Sequence, residues 1–368
     1  MKRFSIILFG ALAILVAGCS KNNPQLPPEE AWIDDLSLPV PIQFGSSKLM
    51  TKAPIDELAD LEGKTLGILG VDKRPEADWS SMTSESVLLS NVKGVYATDD
   101  GGNGYIDFLN GPYYYPISTL QNFSFYGYYI YDVEMEYEGE AEAGGYYIPV
   151  VLGKYDLLWS KAEAVGDGYN ASYVRENKKM VDGDLPTFNF RHVTAGLEFL
   201  AVANAQDGET DDDFKNILVR EVYVSNAYTT AKLCVAHKED VGKDFEHDAA
   251  SMTEGKLHQP GTPDILRVDG RTGMTFSPTK AGTIIGSGLF MYPSNAGYDV
   301  NVVIQRGAAS NRDTLVINTG PVEQGIKYRY KLKFNKLQDV KIFVESVEWS
   351  STSETDINVE EELTNAGS

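Results

Sequence analysis

Short runs of apolar and aromatic residues, separated by turn residues, dominate this sequence from residue 65 onward. Several runs alternate between apolar and polar side chains, which is the period-two pattern of a strand with one buried face. The clearest is 327–334, where Tyr, Leu and Phe alternate with Lys and Arg. Strong breakers such as 99–104 and 110–112 lie between runs. The pattern predicts an all-β fold.

The strand-like runs predict two β-sandwiches, because their spacing is typical of sandwich domains and 368 residues exceed the usual single core. We place the domains at 39–186 and 187–350, followed by a tail at 351–368. One short helix is predicted at 53–61. The predicted strands are 65–71, 87–97, 105–109, 123–131, 146–152, 217–225, 230–235, 265–268, 288–292, 300–305, 314–317, 327–334 and 341–349.

The N-terminus has the order of a secretory signal. Lys2 and Arg3 precede an apolar run, 4–18, that falls short of the roughly 20 residues needed to cross a bilayer. The run ends in Leu-Val-Ala-Gly-Cys, which resembles the bacterial lipobox, so residues 1–19 are read as a lipoprotein signal peptide with Cys19 as the lipidated residue. An ordinary cleaved signal is the alternative. The proline-rich segment 20–38 predicts an extended tether.

The net charge argues against one class of partner, and the number of cysteines limits disulfide pairing. The formal net charge of −21 argues against nucleic acid, whose phosphates would repel the chain. Cys19 and Cys234 are the two cysteines in the sequence. If Cys19 carries lipid, Cys234 has no partner within the chain, and a small buried apolar role is expected for it.

Catalytic and metal-binding motifs are missing from the sequence. Its histidines, His192, His237, His247 and His258, lack the spacing of a zinc site. There is no Gly-x-Ser-x-Gly elbow and no phosphate-binding loop. We therefore predict no enzyme activity, no metal and no cofactor, and for His192 a packing or hydrogen-bonding role.

Two stretches leave a binding role open. The acidic run 207–213 could hold calcium, but it lacks the alternating ligands of a calcium loop, and a solvated hairpin loop is the favoured interpretation. The tyrosine-rich stretches 113–115 and 126–131 could form a platform on which sugars stack. Packing within a β core explains these tyrosines more simply.

Several stretches in order resemble the fimbrillin family, the lipoprotein-derived type V pilins of Gram-negative anaerobes. They are the lipobox at Cys19 and the stretches 42–44, 51–53, 66–70, 123–129, 190–199 and 347–349. The resemblance implies two transthyretin-like β-sandwich domains in tandem and export as an outer-membrane lipoprotein or surface fimbrium. It also implies other fimbrial subunits as partners, with host or bacterial surface receptors as further candidates.

In polymerising members of this family, a first strand fills a groove until a protease cuts the loop after it. The matching strand is 40–44, where Val40, Ile42 and Phe44 would share one buried face and the flanking prolines indicate a sheet edge. The family cuts at arginine, whereas this loop offers Lys48 and Lys52. The tail, with Ile357, Val359 and Leu363, is the candidate donor strand. The alternative function is a surface glycan-binding lipoprotein.

Overall fold

The computed structural model describes residues 31–46, 61–99, 104–117, 121–129, 136–138, 144–162, 168–179, 185–243, 248–307, 312–336, 340–347 and 359–361. Within these ranges, the α-helices with described bounds are α1 (Ala31–Asp34) and α2 (Ala171–Lys178). The strands are β1 (Gly45–Ser46), β2 (Thr65–Asp72), β3 (Val87–Thr98), β4 (Gly104–Phe108), β5 (Phe123–Tyr129), β6 (Glu136–Glu138), β7 (Gly145–Val151), β8 (Leu158–Lys161), β9 (Arg191–His192), β10 (Ala195–Ala203), β11 (Ile217–Tyr228), β12 (Thr230–His237), β13 (Leu257–His258), β14 (Pro263–Arg267), β15 (Thr283–Ile284), β16 (Leu289–Met291), β17 (Asp299–Arg306), β18 (Arg312–Asn318), β19 (Lys327–Phe334), β20 (Val340–Val347) and β21 (Val359–Glu361).

The strands form four sheets. The first has the order β1-β4-β3-β2-β5-β8-β9, and the second has the order β13-β12-β7-β6. The third runs β15-β10-β19-β20-β21, with β16 also paired to β10, and the fourth runs β14-β11-β17-β18. The pairings are antiparallel except that of β10 with β19, which is parallel. The chain is therefore mostly β, as the alternating runs predict.

Two apolar cores lie on the two faces of the first sheet. Leu66 and Ile68 of β2 belong to one core, together with α2 and the N-terminal segment. Leu69 and Val71 of the same strand belong to the other, which the first sheet shares with the second. Because both faces of this strand are buried, its apolar residues do not alternate with polar ones. This explains the continuous apolar run at 65–71.

The third core lies between the third and fourth sheets. Tyr330, Leu332 and Phe334 of β19 point into it, while Lys331 and Lys333 between them are partly exposed. This arrangement confirms the alternation predicted for 327–334. Burying each large apolar side chain contributes about 1.5–3 kcal/mol relative to exposure.

The sheet pairings cross the position at which the sequence suggests a domain boundary. Phe188 and Phe190 pack into a core of the first sheet, and His192 pairs with Leu158 of β8. The next strand, β10, starts the third sheet at Ala195. The chain then returns to the first half, because β12 pairs with β7 and β13 pairs with β12. A division at residue 186 separates strands that share one sheet.

Both helices lie where the sequence predicts none. α1 falls within the predicted tether, yet its Trp32 is buried in the core of the first sheet. α2 falls in a stretch for which the sequence analysis predicts neither helix nor strand, and Asn170 caps it by accepting a hydrogen bond from the Tyr173 amide. The predicted helix at 53–61 lies outside the described residues except for Leu61. Among the described residues, no helix is long and apolar enough to cross a bilayer.

Candidate functional site

An N-terminal segment, residues 31–46, fills a groove against the first sheet, and we call it the plug. It begins with α1, turns through 35–39 and continues as an extended stretch that ends in β1. The groove is formed on one side by 104–106 and 113–115, and on the other by 186–188. The strand predicted at 40–44 lies inside this segment.

Backbone hydrogen bonds hold the extended part of the plug in place. The Ile42 amide donates to Tyr113 O at 2.8 Å, and Val40 O accepts from the Tyr115 amide at 2.9 Å. Further along, Gly45 lies between two neighbours: it pairs with Tyr105 of β4 and forms a parallel bridge with Thr187. The sequence predicts a sheet edge here. That prediction concerns 40–44, where Pro41 forms a bridge with Tyr114; Gly45 follows the predicted strand.

The alternating side chains of the plug are buried as the period-two pattern predicts. Val40, Ile42 and Phe44 are exposed by 1%, 3% and 1%, and all three belong to the core that contains Leu66. The Phe44 ring lies 4.7 Å from the Phe188 ring centroid and 5.0 Å from that of Phe125. Aromatic pairs at such distances add to the stabilisation from burial alone.

The helical end of the plug is held by Arg175 of α2. Its Nε donates to Trp32 O at 2.9 Å, and its Nη2 donates to Leu38 O and, at 3.5 Å, to Asp35 O. Trp32 lies in the last turn of α1, where carbonyl groups have no partner within the helix, so the guanidinium supplies a donor there. Asp35 and Leu38 follow the helix. Lys179 adds an exposed ion pair to Asp34 at 3.3 Å.

A half-open cavity of about 700 Å³ lies beside the plug. The plug contributes Pro41, Gln43 and Phe44 to its walls, among other residues, and the rest of the lining includes Tyr105 and Tyr114. Of the proposed sugar platform, Tyr114 therefore faces a cavity. Tyr115, Tyr126 and Tyr128 are instead buried in the cores, which supports the packing interpretation.

The described histidines make local contacts within the protein. His192 Nδ1 lies 2.7 Å from Asp156 Oδ2, and both side chains are buried. His237 accepts a hydrogen bond from the Glu239 amide, and His258 Nε2 lies 2.9 Å from Thr253 O. His247 lies outside the described residues. Within the described part of the chain, no three His, Cys, Asp or Glu side chains are grouped as metal ligands would be.

The acidic run and Cys234 have structural surroundings. Asp211–Asp213 forms a 3₁₀ turn, and Lys336 pairs with Asp213 at 2.9 Å. The Thr210 amide, which donates to Asp213, and Lys336 lower the pKa of that carboxyl to about 2. The run connects β10 to β11, which lie in different sheets, so it is not the predicted hairpin loop. Cys234 is fully buried, as expected of a small core residue.

Three predicted functional positions, Cys19, Lys48 and Lys52, lie outside the described residues, and so do Ile357 and Leu363. The tail is described at β21, whose backbone pairs antiparallel with β20, with Val359 opposite Val344. Residues 359–361 of the candidate donor segment therefore pair at the edge of the third sheet in this chain.

Solved structures from Bacteroides and Parabacteroides species resemble this fold. A candidate cell adhesion protein of Bacteroides uniformis has a TM-score of 0.50 at 19% identity, with 84% of this chain and 98% of that chain covered. This likeness shows a shared fold. A candidate cell adhesion protein of Bacteroides ovatus has a TM-score of 0.46 at 16% identity, with 85% and 98% covered. A fimbrial assembly protein of Parabacteroides distasonis has a TM-score of 0.45 at 13% identity, with 84% and 96% covered. No protein-family model and no curated protein matches the chain.

Proposed function

We propose that this chain is a subunit or accessory subunit of a surface fimbria, assembled by β-strand exchange and supporting cell adhesion. In this proposal it is a fimbrillin-like protein with two transthyretin-like β-sandwich domains, attached to the outer membrane through lipid on Cys19. The shared fold with the Bacteroides uniformis protein supports the architecture. The family's mode of assembly comes from the resemblance of the sequence.

The plug is the observation that carries the proposal. A segment near the N-terminus fills an apolar groove with Val40, Ile42 and Phe44, and it is hydrogen-bonded like a sheet strand. An extended segment from another chain can offer the same alternating side chains and the same backbone groups, which is the basis of β-strand addition. Removing the plug would leave a groove shaped for such a strand.

The proposed donor is the tail of a neighbouring subunit. Ile357 and Val359 are two residues apart, as Val40, Ile42 and Phe44 are, whereas Leu363 follows Val359 by four, with Glu361 between them. In this chain β21 pairs at the edge of the third sheet through a three-residue register. In the proposed exchange, the tail leaves β20 of its own chain and occupies the empty groove of the next subunit. The proposed cut that frees the plug is at Lys48 or Lys52.

The proposal is tested by cutting the full chain at a specific protease site introduced within 47–60. The cut protein is then incubated with a labelled peptide of residues 350–368, with uncut protein as the control. We expect the cut protein to lose the plug and retain the peptide, and the uncut protein to retain little. A cut protein that binds no peptide and remains monomeric contradicts strand exchange.

Glycan binding is the second candidate function, and the cavity of about 700 Å³ is the observation that favours it. Ligand sites commonly have this volume and combine aromatic with polar lining residues. Tyr105 and Tyr114 supply rings, while Asp107 and Gln43 supply hydrogen-bonding groups. If the cut chain fails to capture the tail peptide, this function becomes the better account of the chain.

A further inference from the structure

Arg175 joins two parts of the molecule that are far apart in the sequence. It lies on α2, 143 residues after Trp32, and it reaches three carbonyl groups of the plug. Hydrogen bonds from a charged donor are roughly twice as strong as those between neutral groups. Because the acceptors are backbone carbonyls, this contact depends on the path of the chain and not on the side chains of the plug.

The Arg175 contacts and the strand contacts restrain opposite ends of the same segment. Trp32, at the helical end, is 1% exposed and belongs to the same core as Val40, Ile42 and Phe44. Val174, which precedes Arg175, is buried in that core as well. A cut after residue 46 frees the strand end of the plug but leaves Trp32 and the three Arg175 contacts intact.

We propose that residues 31–46 leave the groove as one unit, and that Arg175 acts as a clasp that sets how long the plug stays after the chain is cut. This inference rests on the proposed function, because it assumes that the plug is removable. It assigns a regulatory step to the site: after the cut, the groove empties only as the clasp opens, so Arg175 limits the rate at which an acceptor becomes available.

The test measures departure of the plug from the cut chain before any donor is added. A fluorophore attached at residue 30 reports the plug, and the rate at which the label separates from the protein is followed by size-exclusion chromatography. The variants are Arg175→Met, which keeps an apolar stem without the guanidinium, and Arg175→Lys. Lys179→Met is the matched control, because it removes an exposed ion pair to the same helix.

We expect release from Arg175→Met to be roughly tenfold to a hundredfold faster than from wild type, since charge-assisted hydrogen bonds are lost. Arg175→Lys should lie between them, and Lys179→Met should match wild type. Equal release rates for wild type and Arg175→Met would overturn the proposal that Arg175 acts as a clasp. Such a result leaves strand exchange untouched, because that proposal is judged by tail-peptide capture after the plug has gone.

Hydrogen exchange on the uncut chains provides a second measurement that does not depend on cutting. In Arg175→Met, the amides of Leu38 and Ile42 should exchange faster by a common factor, because the plug opens as a unit. The Gly127 amide, in the central part of the first sheet, should be unchanged. Faster exchange at Leu38 with no change at Ile42 would contradict the proposal that the plug opens as a single unit.

Discussion

At the scale of single residues, the most unusual contact outside the plug is a buried ion pair. Lys161 Nζ lies 2.6 Å from Glu254 Oε1, and the two side chains are 4% and 0% exposed. Lys161 also donates to Asp240 O and Lys243 O. The pair fastens the loop after β12 to the first sheet. Removing one partner would leave the other buried and uncompensated.

The pair makes folding stability depend on pH. Burial raises the pKa of Glu254 from 4.5 to about 7, although Lys161 acts in the opposite direction. A carboxyl with a raised folded-state pKa binds its proton more tightly in the folded protein than in the unfolded chain. Its contribution to stability is therefore complete below about pH 4.5 and is lost as the pH rises to about 7.

We expect the loss of stability between pH 4.5 and pH 7 to disappear in Glu254→Gln, because the glutamine side chain cannot ionise. Between pH 4.5 and pH 7.5, the free energy of unfolding of wild type should fall relative to that of Glu254→Gln by about 3 kcal/mol. Urea unfolding at a series of pH values measures this difference. The control is Glu76→Gln, an exposed position whose profile should follow wild type. Parallel profiles for wild type and Glu254→Gln would show that the carboxyl does not titrate in this range.

The sequence predicts residue roles well where the signal is local. The burial of Val40, Ile42 and Phe44 follows from their alternation, and that of Cys234 follows from its apolar run. Nothing local indicates Arg175 or the Lys161–Glu254 pair. Lys161 and Glu254 are 93 residues apart, and each looks like an ordinary surface charge until the fold brings them together.

At the scale of elements, the plug is an N-terminal segment that completes a core whose other strands come from later parts of the sequence. Phe44 contacts the rings of Phe125 and Phe188, which come from β5 and from the stretch before β9. Loss of the plug therefore exposes apolar surface on several elements at once. The remaining sheet still has the core on its other face, between β2, β5 and the second sheet.

We expect Phe44→Ala to lower the free energy of unfolding by about 3–5 kcal/mol, the usual range for truncating a buried Phe. Gln43→Ala, on the neighbouring position of the same segment, should change it by less than about 0.5 kcal/mol, as is usual for partly exposed polar positions. Chemical denaturation of the uncut chains gives both values. Similar losses in the two variants contradict the one-sided burial of the plug.

The sequence predicts most strands but not how they pair. Residues 230–235 are a clear strand, yet their pairing with β7 across the predicted boundary depends on contacts that alternation cannot reveal. The parallel pairing of β10 with β19 is equally hidden. α2 could have been found from Asn170, a favoured cap residue ahead of a stretch without proline or glycine.

At the scale of the whole molecule, the first and last described segments of the chain each pair with a sheet of the same chain. The plug fills the groove at the first sheet, and β21 extends the third sheet. Neither arrangement needs another chain. Exchange becomes possible when the plug leaves one subunit and the tail of the next leaves β20. In the proposed assembly, the single chain is the form before exchange. In the fimbria, the tail of each subunit occupies the groove of its neighbour.

The most direct test of strand exchange is a cross-link between subunits in assembled fibres. Tyr114→Cys places a thiol beside the groove, opposite Pro41, and Asn358→Cys places one in the tail, at the position that follows Ile357 as Pro41 follows Val40. Cys234 is buried and should not react. Cells producing the double variant are oxidised, and the chains are separated without reductant. The account predicts a ladder of covalent multimers that collapses to a single band on reduction and is absent from each single variant. Fibres whose chains remain monomeric under the same conditions would contradict it.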